Sequence, residues 1–274
     1  MVKSAVTISL VEQARGGPFV YWDEFEASVR SAAALGYDAV ELFAPAPGFV
    51  TAERVEKILA ETGLALAAVG TGAGMVIHKL SLTDSDPARR LQAGTFIEQM
   101  IDYGALFGAP AIIGSMQGRW GGDGPDRATA RGWLIEALRH LGQHAATRGV
   151  TLIYEPLNRY ETNHCNTMQQ GVELLTEAGT SSVVLLADLF HMNIEEVSIA
   201  DGLRDGGKHI GHVHFVDSNR RPAGNGHMNY APIVEALSAF GYEGYASAEA
   251  FPWPSPQSAA EQTMRMFQTL FRPK

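Results

Sequence analysis

Eight short apolar runs, rich in β-branched residues, recur along the chain at positions 4–10, 38–43, 64–70, 110–115, 151–155, 183–188, 209–216 and 244–250. Most are apolar along their whole length rather than alternating, as expected of strands covered on both faces of a parallel sheet. Between them lie longer amphipathic stretches at Asp23–Leu35, Ala52–Thr62, Pro87–Phe107, Asp126–Arg148, Thr167–Ala178, Pro232–Phe240 and Pro256–Leu270. A fainter helical pattern covers Glu195–Leu203. Asp23, with Glu26 three positions on, resembles a capping box. Pro87, Pro232 and Pro256 suit first-turn positions of helices. Strands that alternate with helices eight times pair in parallel, either in a closed barrel or in an open doubly wound sheet. No Pro/Gly/Ser linker, charge block or low-complexity tract divides the chain, and 274 residues match one barrel, which takes about 250. The pattern predicts an α/β protein with a single domain over 1–274, a (β/α)8 TIM barrel.

In such a barrel the reactive groups sit at the carboxyl ends of the strands and in the loops that follow. The fifth run ends in Glu155, and Pro156 after it holds that residue extended at the rim. The sixth ends in Asp188, the seventh carries His212 and His214 two positions apart on one face, and the eighth ends in Glu249. His214 lies nearer the carboxyl end, which leaves His212 one layer deeper as a core histidine. A single acid at a strand end is usually a helix cap or an ion-pair partner. Four such groups on four successive strands are a different matter. Three carboxylates converging in a barrel mouth would repel one another or take up protons, and a divalent cation resolves that conflict. Three oxygen donors with one imidazole favour one Mn2+, Mg2+ or Co2+ ion over a thiolate-rich zinc site.

The loops add polar groups aimed at the same mouth: Asn158, Arg159 and Glu161, then His191 and Asn193, then Asp217, Asn219 and Arg220. Phe19, Tyr21 and Trp22 after the first strand could cover the apolar face of a sugar or plug the barrel end. Gln117 and Arg119 are candidates for reading the far end of a substrate, and an inward Arg119 would favour a carboxylate or phosphate there. Glu41, ending the second strand, is either a pocket residue or a buried structural acid.

Composition narrows the setting. A net charge of -9 argues against a nucleic-acid partner. No run approaches the roughly 18 apolar residues of a membrane span. The one cysteine, Cys165, excludes an intrachain disulfide and fits a cytoplasmic location. Barrel helices commonly mediate assembly, so a homo-oligomer is expected.

The segments YEPLNRYE, ADLFHMNIEE, HVHFVDSNRRPAGNGH and the late AEAF resemble the D-tagatose/D-psicose 3-epimerase group of the xylose-isomerase-like barrels. The resemblance implies Glu155, Asp188, His214 and Glu249 as metal ligands, with Glu155 and Glu249 also the acid/base pair. It implies substrate contacts from Glu161, His191 and Arg220. The stretches VGTGAG and IIGSMQGRW depart from the free-ketohexose epimerases and point to other sugars, keto sugar acids included.

The implied reaction inverts C3 of a ketose or keto sugar acid through an enediolate, one glutamate on each face of the planar carbon. An aldose–ketose or hydroxypyruvate isomerase uses the same enediolate and nearly the same residues. A ketocyclitol dehydratase is compatible with the barrel and the metal. A DNA-repair endonuclease shares the barrel but needs more histidines at strand ends and a basic groove.

Overall fold

The computed structural model describes residues 1–22 and 24–272. Nine strands are present: β1 Lys3–Ser9, β2 Tyr21–Trp22, β3 Ala39–Phe43, β4 Ala65–Gly70, β5 Ala111–Ile113, β6 Leu152–Tyr154, β7 Val183–Asp188, β8 Ile210–His214 and β9 Tyr245–Ala248. All of them pair in parallel, and β1 also pairs with β9, with Lys3 opposite Tyr245. That last pairing closes β1 and β3–β9 into the expected eight-stranded barrel and leaves the two-residue β2 as an appendage on β1. The helices are α1 Phe25–Ala34, α2 Ala52–Thr62, α3 Ala73–His78, α4 Pro87–Ala105, α5 Arg127–Thr147, α6 Met168–Ala178, α7 Leu189–Glu195, α8 Ile199–Gly206, α9 Ala231–Ala239 and α10 Pro256–Phe271.

The helix signals act where expected. Pro87, Pro232 and Pro256 lie in the first turns of α4, α9 and α10. Thr51, Asp126, Thr167 and Ser255 accept hydrogen bonds at the N-termini of α2, α5, α6 and α10, satisfying donors that the helix itself cannot. The capping residue expected at Asp23 lies outside the described residues. The faint pattern at Glu195–Leu203 divides into the end of α7 and most of α8, with an extended break between them. α3, α7 and β2 were not expected, being too short to show a period. No described helix is long and apolar enough to cross a membrane.

The largest apolar cluster lies where helices pack on the barrel wall, for example Leu134, Leu138 and Leu141 of α5 with Leu152 and Tyr154 of β6. A smaller cluster joins Ala68, Ile112, Ile153 and Leu186, one from each of four adjacent strands. Residues two apart share a face of a strand, so Ile112, Ile153 and Leu186 lie directly beneath Gly114, Glu155 and Asp188. This buried apolar floor supports the carboxyl-end rim, and the chemistry sits on it.

Candidate active site

The rim residues converge. One ligand atom each from Glu155, Asp188, His214 and Glu249 lies within 4.8 Å of all the others, a grouping able to hold a metal ion. His214 Nδ1 is 3.0 Å from Asp188 Oδ2, 3.5 Å from Glu155 Oε1 and 3.4 Å from Glu249 Oε2. The other nitrogen of that ring, Nε2, lies 3.2 Å from Glu41 Oε1, and His212 Nε2 donates to Glu41 Oε2 at 2.8 Å. Carboxylates only accept, so in the metal-free site both ring nitrogens of His214 carry protons, Nε2 donating to Glu41 and Nδ1 to Asp188, and an ion held by the acids would take the place of the Nδ1 proton. Glu41 and His212 therefore form a buried support one layer behind His214. This answers the question left open for Glu41 and agrees with the deeper placement of His212. Glu41, His212 and His214 are also close enough to hold an ion, but both Glu41 oxygens are already engaged by imidazole nitrogens.

The donor set fits a hard divalent cation. Glu155 Oε1 is buried without a hydrogen-bond partner, although unpaired buried carboxylate oxygens are costly. Burial pushes the Glu155 carboxyl upward, against His214, and Asp188 adds repulsion. Glu249 is pushed up to about 8, chiefly by burial and further by Glu155 and Asp188, while His214 and Arg220 oppose the rise. Burial would lift Asp188 as well, but Arg220, His191 and His214 hold it far below the ordinary carboxylate range. Burial disfavours a charged His214, yet Glu249, Glu41, Asp188 and Glu155 raise its affinity for a proton well above normal. A cluster that retains protons so firmly lacks positive charge at its centre, and an ion bound by these four groups would supply it.

Arg220 and His191 close the site from the loop side. Arg220 contacts Glu249 through Nη2 and approaches Asp188 Oδ2 to 3.1 Å through Nη1. Its backbone is left-handed at φ 61°, held by a bond from its amide to Asp217 O and one from the Phe251 amide to its carbonyl. Asp217 organises this loop, accepting from the amides of Ser218, Gly224 and Met228 and from the Tyr230 hydroxyl. His191 follows Asp188 at the start of α7, where the Asp188 side chain accepts from the amides of Phe190 and His191. The Asn158 amide N–H and side chain point at His191 Nδ1, at 3.2 and 2.7 Å. Nδ1 thus accepts from Asn158, while Nε2 lies 3.2 Å from Arg220 Nη1 and 3.8 and 3.9 Å from Asp188 and Glu155. Burial lowers His191 to about 3, so the ring is neutral at physiological pH.

A cavity of about 300 Å3 opens over this cluster. Glu161, His191, His214 and Arg220 line one side, while Phe19, Phe43 and Val76 line the apolar side. Phe19 stacks on Phe43 with ring centroids 4.6 Å apart. Tyr21 and Trp22 do not line it: Tyr21 is buried in the barrel–helix core, and the Trp22 indole donates to Phe19 O. Arg159 instead pairs with Glu195, and Asn219 bonds within its own loop.

Neither Gln117 nor Arg119 lines the cavity over the acids. Gln117 is buried and spends its amide on Gly114 O and Glu155 O and its oxygen on the Tyr154 hydroxyl, so it braces the Glu155 backbone. Arg119 is exposed, donates to Tyr160 O and lies outside the cavity over the acids. The 3-10 turn Ser115–Gln117, ended by Gly118 at φ 82°, turns Gln117 inward and carries Arg119 away. Gly114 was passed over: a Cβ there would lie 2.7 Å from Glu155 Oε2, so the carboxylate rests against bare backbone. Its position at a strand end, IIG, was the available signal.

Residues 29–270 match the family model described as xylose isomerase-like TIM barrel. The chain is 31% identical to the D-psicose 3-epimerase of Enterocloster bolteae over 246 residues, 85% of this chain and 80% of that one. It is 30% identical to the 3-dehydro-D-guloside 4-epimerase of Escherichia coli over 227 residues, 78% of this chain and 82% of that one. The crystal structure of the Clostridium cellulolyticum H10 D-psicose 3-epimerase with D-tagatose superposes with a TM-score of 0.81 at 22% identity, covering 98% of this chain and 99% of that one. The barrel, the match along nearly its whole length and these relatives agree: the chain belongs to the xylose isomerase-like TIM barrel family and is an enzyme of the isomerase class.

Proposed function

We infer that this protein is a metal-dependent sugar epimerase that inverts the carbon next to a ketone, with Glu155 and Glu249 as its acid and base. The observation that carries the reading is two glutamates, one buried and one largely so, at the carboxyl ends of β6 and β9 with two strands between them, sharing one cluster with Asp188 and His214. The two curated relatives are named for different sugars and different carbon numbers. A ketose inverted at C3 and a 3-dehydro sugar inverted at C4 have one chemistry in common, inversion adjacent to the carbonyl.

A hydrogen on that carbon is a very weak acid, so the charge left by its removal needs stabilisation. A divalent ion held by Glu155, Asp188, His214 and Glu249 would polarise the ketone and the neighbouring hydroxyl. Mn2+, Mg2+ and Co2+ all suit this oxygen-rich donor set. One glutamate takes the proton from one face, and the other returns a proton to the opposite face of the flattened carbon. His191, neutral and set beside Arg220 Nη1, would donate from Nε2 to the carbonyl oxygen once substrate draws the guanidinium onto its own oxygens. Arg220 adds positive charge beside it, and Glu161 orients the end of the sugar next to the ketone. Phe19 and Phe43 cover the apolar side of the substrate and exclude water.

The test is product analysis by NMR after metal-loaded protein is incubated with ketoses, keto sugar acids and hydroxypyruvate. Accumulation of an epimer inverted next to the ketone is expected. Conversion of a ketose to an aldose, or of hydroxypyruvate to its isomer, without any epimer would replace this reading with aldose–ketose isomerisation.

A further inference from the structure

The cavity over the acids does not end at Glu161. Ser115 and Glu161 line it and also line a second, larger groove of about 640 Å3, so the two adjoin across these residues. Helix α3 separates them further along, with Val76 on the first cavity and Met75 on the second. The second groove is mixed: Ser81, Thr83 and Ser85 line it together with Met75, Pro125 and glycine backbone, the hydroxyls and apolar stretches that a sugar ring's edge and face require. Its charged residues besides Glu161 are Lys79, Asp84, Arg119 and Asp123. Neither Lys79 nor Arg119 forms an ion pair; Lys79 donates to Val76 O and Arg119 to Tyr160 O. Lys79 and Arg220 are the two non-glycine residues with left-handed backbone among those described, one in each cavity. At Lys79 this is the left-handed cap that ends α3, its amide returning to Gly74 O and Met75 O.

We propose that the groove is a second subsite, and that the preferred substrate is a keto sugar carrying a further polyhydroxylated unit on the carbonyl side of the reacting carbon. The proposal rests on the epimerase reading, because Glu161 at the junction then orients that end of the sugar. In a free 2-ketose this end is a single hydroxymethyl group, which leaves the groove without a ligand. In a 3-keto pyranoside, the carbon on that side leads to the anomeric centre and its glycosidic substituent, which would extend past Ser115 into the groove. Hydroxyl groups and charges of both signs suit a second sugar ring better than an anion, since Asp84, Asp123 and Glu161 outweigh Lys79 and Arg119. Binding energy gathered by a remote ring can be expressed as rate at the reacting carbon.

The test compares proton exchange in D2O by the metal-loaded enzyme on D-fructose, a methyl 3-keto-glucoside and a 3-keto disaccharide. Ser85→Trp, at the exposed edge of the groove and outside the catalytic cluster, serves as the blocking variant. The disaccharide should exceed the methyl glycoside in kcat/KM by on the order of tenfold or more, and Ser85→Trp should erase the difference while leaving exchange on the two smaller sugars unchanged. Equal rates for disaccharide and methyl glycoside, indifferent to Ser85→Trp, would overturn the subsite and leave the epimerase reading intact. No exchange on any sugar would overturn the epimerase reading instead. In that case calorimetric binding still decides the groove: disaccharide affinity lost in Ser85→Trp supports it, and affinity no greater than that of the methyl glycoside overturns it.

Discussion

The crowding of acids has a consequence for the metal-free protein. Glu249 is pushed from 4.5 to about 8, with burial the main cause. Each pH unit over which only the unfolded chain has ionised is worth at most about 1.4 kcal/mol. Because the folded state holds this proton more tightly than the unfolded chain does, folding is favoured below the unfolded value. That advantage over the ionised state is lost as pH rises from 4.5 towards 8. Glu249→Gln removes the titration. In protein stripped with a chelator, the variant should gain on the wild type as pH rises, by about 1.4 kcal/mol per unit at most. Between pH 5 and 8 the relative gain should reach several kcal/mol, which for a chain of this length is on the order of 10 °C in Tm. The absolute offset also includes the lost contact to Arg220, so the slope carries the test. Excess Mn2+ should reverse the order, because the wild type then gains a ligand-linked stabilisation that the variant lacks. The assay is thermal unfolding of both proteins at several pH values, with and without metal. Parallel stability curves across pH 5–8 in the stripped proteins would refute the picture of an acid cluster held together by its missing charge.

Three further outcomes follow from the same geometry. Binding of Mn2+ must displace the protons that Glu249 and His214 retain, so calorimetry in buffers of different ionisation heat should show proton release. The apparent Kd should fall by about tenfold per pH unit or more between pH 6 and 8; a Kd independent of pH would contradict the proton inventory. Glu41→Gln replaces an acceptor of two imidazole N–H groups with an amide that cannot serve both. Metal affinity should drop by roughly 10–100-fold with the barrel's far-ultraviolet dichroism retained, and an unchanged Kd would remove Glu41 from the support of His214. Gly114→Ala drives a methyl group against Glu155 Oε2. Activity should fall by about 100-fold with little change in Tm, whereas wild-type turnover would show that the carboxylate has room to move.

Much of the fold was legible because both of its periods are long-range features of the sequence. Apolar runs and helical repeats mark the strands and the long helices, and proline placement marks three starts. The elements that escaped are those without room for a period. α7, at seven residues, exists because Asp188 caps it, and β2 because the chain after β1 folds back against Ile8 and Ser9. The convergence of Glu155, Asp188, His214 and Glu249 was legible for a simple reason: a strand end fixes both position and direction. Gln117 and Arg119 follow β5 through a tight turn whose direction no periodicity reports, so the sequence could not say which of the two faces inward. Glu41 was ambiguous because its partners, His212 and His214, lie more than 170 positions away. Gly114 speaks only through the space it leaves.

The most direct test of the central claim is isotope exchange in D2O by metal-loaded wild type, Glu155→Gln and Glu249→Gln, on the sugar that the wild type epimerises best. The wild type should place deuterium at the carbon next to the ketone in both epimers. Each variant should lose epimerisation, and any exchange that survives should be confined to one epimer, the one whose proton faces the remaining glutamate. Full epimerisation by either variant, or deuterium appearing only on the carbon across the carbonyl, would contradict a two-glutamate inversion at this site.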